Sequence, residues 1–172
     1  MKKNLFKYIF VGVTALSMTA CSDQLETSPS ASVSGDQLLG SATNALIPLN
    51  GVIRSMYTAG VSNTVNTHQC FGISAYNLMA DVMGEDCIMS APGSGWFWYD
   101  CIYDMKSMYT SEGWRPYEAW NGYYGWISNV NYIINAEKTM SGSDTEKNYV
   151  LGQAYAIRAY SYFMLAQTFA RT

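Results

Sequence analysis

Beyond residue 36 the apolar positions recur at steps of three and four, and no stretch alternates as a half-buried strand would, so the pattern predicts a mainly α fold. A capping-box pattern at Ser34-Gly35-Asp36-Gln37 opens a stripe of Leu38, Ala42, Ala45, Leu49, Val52 and Met56. Pro48 falls inside it and is expected to kink or divide the helix, because proline lacks the donor for the preceding turn. A polar stretch, 60–68, reads as a loop. Tyr76, Met79, Ala80 and Met83 then form a second stripe, with Gly84 as its stop. The helical period fails from about 85 to 115. There Ala91-Pro92-Gly93-Ser94-Gly95 marks a turn, followed by Trp96-Phe97-Trp98-Tyr99 in an irregular, aromatic-rich insertion.

A third helix is predicted from near Pro116 to about Thr139, with Tyr117, Trp120, Tyr124, Ile127, Val130 or Asn131, and Ile134 on one stripe. Gly122 and Gly125 each cost such a helix about 1 kcal/mol against alanine, so their expected use is close approach by a neighbour. A second capping box, Ser143-Asp144-Thr145-Glu146, opens a fourth helix reaching Phe169 or beyond. Leu151, Ala154, Arg158, Tyr162, Leu165 and Phe169 line one face of it. Ala156, Ala159, Tyr160, Phe163 and Met164 make the other nearly as apolar, so burial on most sides is expected. The short link between the last two helices requires an antiparallel hairpin. The chain ends directly after this apolar helix and reads as incomplete at the C-terminus.

The first twenty residues belong to a different pattern. Lys2, Lys3 and Lys7 precede an uncharged run, Tyr8 to Met18, that is too short to span a bilayer, and no acid appears before Asp23. Met18-Thr19-Ala20-Cys21 resembles the lipobox at which a bacterial signal peptidase cuts, although leucine is usual where Met18 stands. Residues 1–20 are therefore read as a lipoprotein signal peptide and 21–35 as the lipidated Cys21 with an extended Ser/Thr/Asp/Pro tether. Residues 36–172 form the folded body. Two or more acyl chains on Cys21, palmitate among them, would hold that body at a membrane surface without a spanning helix.

Removing the signal leaves seven basic against thirteen acidic residues, a formal charge of −6, where the full chain carries −3. An acidic surface argues against nucleic acid as a partner. The single histidine, His68, has no companion ligands, so a His-based metal site or relay has nothing to build on. Phosphate-loop and dinucleotide patterns are missing, and no metal or cofactor is called for. Cys70, Cys87 and Cys101 follow no metal-ligand spacing; one disulfide plus a thiol and three reduced, buried thiols both remain open.

The candidate chemistry is aromatic. Residues 96–126 hold twelve of the twenty-five aromatics, including all five tryptophans. Sugar rings present C–H faces that pack on flat aromatic surfaces, while their hydroxyls need carboxylate and amide partners. Trp120, Tyr124 and Trp126 sit at helical spacing and are expected in the core. Trp96, Trp98 and Tyr99 follow a glycine-rich turn and are the stacking candidates, with Asp86 as a nearby polar partner. Asp81, Glu85 and Asp86 cluster at a helix end, and Asp100 with Asp104 offers a similar pair. Paired carboxylates keep a surface glycoside hydrolase as the alternative. Arg158, among tyrosines on the most apolar helix, is assigned a structural role.

Three stretches carry a resemblance. Cys21-Ser22-Asp23-Gln24-Leu25-Glu26-Thr27-Ser28-Pro29 is similar to the opening of the SusD/RagB family of nutrient-binding outer-membrane lipoproteins. Trp120, Tyr124, Ile127, Asn131 and Ile134 fit that family's Trp-x3-Tyr-x2-Ile-x3-Asn helix. Gln153-Ala154-Tyr155-Ala156-Ile157-Arg158-Ala159-Tyr160-Ser161-Tyr162-Phe163-Met164-Leu165 resembles its Glu-Ala-x3-Arg-Ala-x2-Tyr-Phe-x-Leu helix, with Gln153 in place of the usual acid. The resemblance implies a tetratricopeptide-like α-helical scaffold, of which this chain is the N-terminal part, and an outward-facing lipid anchor in the outer membrane. It implies a SusC-like TonB-dependent β-barrel as partner and an oligosaccharide or related nutrient as ligand, peptide being the alternative. It implies binding without catalysis, or a purely structural lid on the transporter.

Overall fold

The computed structural model describes residues 34–59, 69–84, 87–93, 95–102 and 109–170. The signal region, Cys21, nearly all of the tether, and Glu85, Asp86, His68 and Asp104 lie outside them. The described residues from Gly35 onward belong to one compact unit, and among them there are helices and no strands. Its elements are α1 (Gly35–Leu39), α2 (Ala42–Ser55), α3 (Ile73–Met83), α4 (Trp98–Cys101), α5 (Trp114–Asn135) and α6 (Asp144–Phe169). A 3-10 turn, Ala136–Lys138, closes α5.

The antiparallel pair α5 and α6 is the centre of the fold, and α2 lies against both. The link between the pair is fixed at each end. Ser143 caps α6: its Oγ accepts from the Glu146 amide at 3.3 Å, and its own amide donates back to Glu146 Oε2 at 2.8 Å. These bonds from the Ser143 backbone and hydroxyl hold the Glu146 carboxyl below the usual carboxylate range. The cap's contribution is thus fully present at neutral pH and is lost as pH falls through that lowered value. Two residues earlier, Ser141 accepts from the Ala42 amide (2.9 Å) and donates to Gly40 O through both its amide (3.0 Å) and its hydroxyl (2.8 Å). The hairpin turn is thereby stitched to the start of α2.

That stitch explains where the first predicted helix divides. The break falls at Gly40–Ser41, with Ser41 Oγ capping α2 at the Asn44 amide (3.2 Å), and α2 runs unbroken through Pro48. Proline at this point deprives only the Asn44 carbonyl of a donor, and Asn44 is exposed, so water can take its place. The expected stripe is otherwise observed: Ala42, Ala45, Leu49 and Val52 are buried. On α3 the buried set is Ala75, Tyr76, Met79 and Val82, whereas Ala80, expected inside, is exposed.

Tyr76 joins α3 to α5. Its ring packs 5.2 Å from Tyr123 and 6.1 Å from Trp126, and its hydroxyl donates to the Glu118 carbonyl at 3.2 Å. Burial, reinforced by the charge of Glu118, pushes the Tyr76 phenol far above its usual range, so it stays neutral. This approach needs Gly122, where a Cβ would meet the Tyr76 hydroxyl at 2.2 Å. Gly125 has open space instead, which corrects the expectation that both glycines admit a neighbour.

Two further expectations are corrected. Of the three aromatics assigned to the core, only Trp126 is buried; Trp120 is 45% exposed and Tyr124 39%. The first turns of α5 bury Arg115, Glu118, Ala119, Gly122 and Tyr123, so the aromatic stripe there lies on a flank. It continues across the hairpin, with Trp120 4.6 Å from Tyr124 and 5.2 Å from Phe169, and Tyr124 6.4 Å from Tyr162. On α6 one face is buried (Val150, Leu151, Ala154, Ile157, Ser161, Leu165), and Tyr155, Ala156, Ala159, Tyr162 and Phe163 remain exposed. Burial of α6 on most sides is therefore not observed, because α5 and α2 cover only one side of it.

The two glycines of α5 give opposite expectations. Gly122→Ala should destabilise by about 1–2 kcal/mol, since overpacking against a buried, hydrogen-bonded ring outweighs the gain in helix propensity. Gly125→Ala should stabilise by up to about 1 kcal/mol. Urea unfolding followed by circular dichroism distinguishes them.

Candidate ligand-binding site

The insertion turns on backbone only glycine adopts freely, and on one residue that is not glycine. Gly93 and Gly95 take φ of +51° and +84°, and Gly95 N–H closes the turn on Pro92 O at 2.7 Å. Phe97 then adopts φ +57°, the single non-glycine residue with positive φ among the described residues. This conformation costs roughly 1–2 kcal/mol. It is held by the Phe97 amide donating to Gln69 Oε1 at 2.9 Å and by burial of the ring, which lies edge-on to Phe71 at 6.1 Å. With Phe97 turned inward, its neighbours turn outward: Trp96 is 46% exposed and Tyr99 56%, while Trp98 is half-buried.

Below this platform lies a buried ion pair. α4 directs Asp100 inward, and Arg115 in the first turn of α5 meets it: Nη2 to Oδ2 at 2.6 Å and Nε to Oδ1 at 3.0 Å, with side chains only 2% and 7% exposed. Arg115 also donates to Gln69, from Nη2 to Oε1 at 2.8 Å and from Nη1 to the carbonyl at 3.1 Å. Its guanidinium carbon lies 4.1 Å from the Trp114 ring centre and 4.7 Å from that of Phe97. The Tyr109 hydroxyl donates to Asp100 Oδ1. Burial and this bond to a carboxylate push the Tyr109 phenol well above its ordinary range, so it acts as a fixed neutral donor.

Two hollows flank the pair and share Tyr109 and Arg115. The smaller, about 200 Å³, is walled by the Tyr99 and Trp114 rings together with Gln69, Asp100 and Gly113. The larger cleft, about 590 Å³, is mostly apolar, with Met79, Met83, Tyr117, Trp120 and Phe169 along it. Ring faces beside fixed donors and acceptors mark the smaller hollow as suited to a polyhydroxylated ligand.

Of the residues singled out in the sequence, the structure brings Trp96, Trp98 and Tyr99 together on one short segment, and Tyr99 into the small hollow. Asp86 and Cys21 lie outside the described residues. Asp81 is exposed on α3. Asp100, read as half of a carboxylate pair with Asp104, is instead the partner of Arg115. Gln69, Tyr109, Trp114 and Arg115 were not foreseen. One signal pointed to Arg115: a cation in the first turn of a helix opposes the helix dipole and calls for a carboxylate partner. Arg158 donates from Nη1 to Asn131 Oδ1 at 3.0 Å, with its guanidinium carbon 4.9 Å from the Tyr155 ring centre, and so ties α6 to α5. Among the described residues no group of His, Cys, Asp and Glu is arranged to hold a metal, and no helix is long and apolar enough to cross a membrane.

An α-helical scaffold that presents rings from a pinned loop, beside a hollow lined with fixed polar groups, has the form of a binding module. Residues 82–172, more than half of the chain, match the SusD-like family described as starch-binding and associating with the outer membrane, and the chain belongs to that family. The matched region takes in the aromatic insertion, α5 and α6. No curated protein and no solved structure matches the chain.

Separating the buried charges should be costly. Asp100→Asn leaves the Arg115 guanidinium in a dry site without its counter-charge, and a loss of about 3–5 kcal/mol is expected by urea unfolding. Tyr109→Phe removes one bond to a charged group and should cost about 1.5–3 kcal/mol.

Proposed function

We propose that this protein is a cell-surface glycan-binding lipoprotein. It is anchored in the outer membrane through acylated Cys21, faces outward, captures oligosaccharide on the Trp96–Trp98–Tyr99 platform, and delivers it to a SusC-like TonB-dependent barrel. The observation that carries this reading is the exposed Tyr99 ring standing against a hollow whose other walls are Trp114, Gln69 and the Asp100–Arg115 pair. A pyranose stacked on Tyr99 would find the Gln69 amide within the same hollow, beside the Asp100–Arg115 pair that fixes its wall, with Trp96 extending the apolar surface for a neighbouring sugar unit. Asp86, three residues past the end of α3 in the sequence and outside the described residues, is in this reading a further hydroxyl acceptor. Membership of a family described as starch-binding supports glucans as the first ligands to test.

The protein does no covalent chemistry in this reading. A glycosidase needs a proton donor and a second free carboxylate facing the same bond. Asp100, which lines the hollow with Tyr99 and Trp114, is fully engaged by Arg115 and Tyr109, which favours binding over hydrolysis.

Isothermal calorimetry of the full chain against starch-derived oligosaccharides and a panel of other polysaccharides and peptides tests the proposal. Binding to at least one glycan is expected, weakened about tenfold by Tyr99→Ala, the equivalent of about 1.4 kcal/mol of lost stacking. A labelled oligosaccharide should be recovered intact after incubation. Binding to peptides alone, or glycan binding indifferent to Tyr99→Ala and Trp96→Ala, would overturn it.

A further inference from the structure

We propose that Cys87 and Cys101 form a disulfide that closes the loop carrying the aromatic platform. The three cysteines among the described residues are not equivalent. Cys70 is fully buried, Cys87 is exposed and Cys101 is half-buried at the end of α4, so the expectation of three buried thiols holds for Cys70 alone. The Cys101 sulfur accepts the Met89 amide at 3.4 Å. Cys87 is two residues from that amide, a distance the chain covers in at most about 7 Å. The stretch that has to adjust is on the surface: Cys87, Ile88 and Ser90 are all exposed, with Met89 alone packed inward. α3, which ends four residues before Cys87, also packs against α4, which ends at Cys101, so the helices that precede and close the loop are in contact before any covalent bond exists.

The oxidant is a disulfide, small or protein-borne, of the kind an exported chain meets outside the cytoplasm. The Cys87 thiolate attacks one oxidant sulfur, forming a mixed disulfide and releasing one oxidant thiolate. The Cys101 thiolate then attacks Cys87 Sγ, forming the Cys87–Cys101 bond and expelling the second. The two protons lost by the cysteines pass to the two oxidant thiolates, and the two electrons reduce the oxidant. Cys70, with no solvent access, stays reduced. The bond would restrict Trp96, Trp98 and Tyr99 to a closed loop, and the inference is independent of what those rings bind.

The test is a cysteine map of the folded full chain after equilibration with oxidised glutathione. Free thiols are alkylated under native conditions and again after unfolding, and the chain is then digested with chymotrypsin without reduction. No lysine or arginine separates Cys70, Cys87 and Cys101, but aromatic residues lie between each pair, so chymotrypsin resolves all three. A linked Cys87–Cys101 peptide two hydrogens lighter than its parts, with Cys70 alkylated only after unfolding, is the expected result. Cys101→Ser should leave Cys87 as a glutathione adduct or alkylated, with the helical circular dichroism unchanged. Cys87 recovered unlinked from the wild-type chain, or joined to Cys21, Cys70 or a second molecule, would overturn the proposal.

Discussion

Taking an arginine and an aspartate out of water costs several kcal/mol for each ion, and the cost is recovered only when they meet in good geometry with their other bonds satisfied. Arg115 and Asp100 meet that condition. The carboxylate receives two guanidinium bonds and one phenol, and the guanidinium is shared with Gln69 and enclosed by two rings. Because Gln69 Oε1 also takes the Phe97 amide, the same network holds the one non-glycine residue with positive φ among the described residues. The path from ion pair to platform is therefore short: Arg115 positions Gln69, Gln69 fixes Phe97, and Phe97 turned inward leaves Trp96 and Tyr99 outward.

The helical scaffold supplies the fixed end of that path. α5 is locked by its pairing with α6, by the Arg158–Asn131 bond, and by Tyr76 seated over Gly122. Arg115 thus starts from a helix that cannot easily move, and the loop is organised against it. Asn131 and Arg158 belong to the two helix patterns that carried the resemblance in the sequence. Their hydrogen bond gives those patterns a physical reason, since each supplies one half of an interhelical contact.

Much of this scaffold was legible in the chain. Capping at Ser143, the hairpin, the α2 stripe and the close approach at Gly122 are local or periodic features, and local chemistry reports them directly. Trp120 and Tyr124 were misjudged because both flanks of α5 are aromatic, and a period of 3.6 cannot choose between two apolar flanks. Pro48 does not divide its helix, because its missing donor matters less at an exposed turn. Asp100 and Arg115 were hidden for a different reason. They lie fifteen residues apart on separate helices, and pairing of that kind leaves no spacing signal; Gln69, which braces Arg115, lies 31 residues upstream of Asp100.

The ion pair organises the loop separately from the helices, and native-state hydrogen exchange of the Arg115→Gln variant measures this most directly. In the wild-type chain the Phe97 amide should be protected like a core amide. In the variant it should exchange at least tenfold faster, while the α6 amides of Ala154 and Ile157 change much less. Unchanged protection at Phe97, or an equal loss at Phe97, Ala154 and Ile157, would contradict the account.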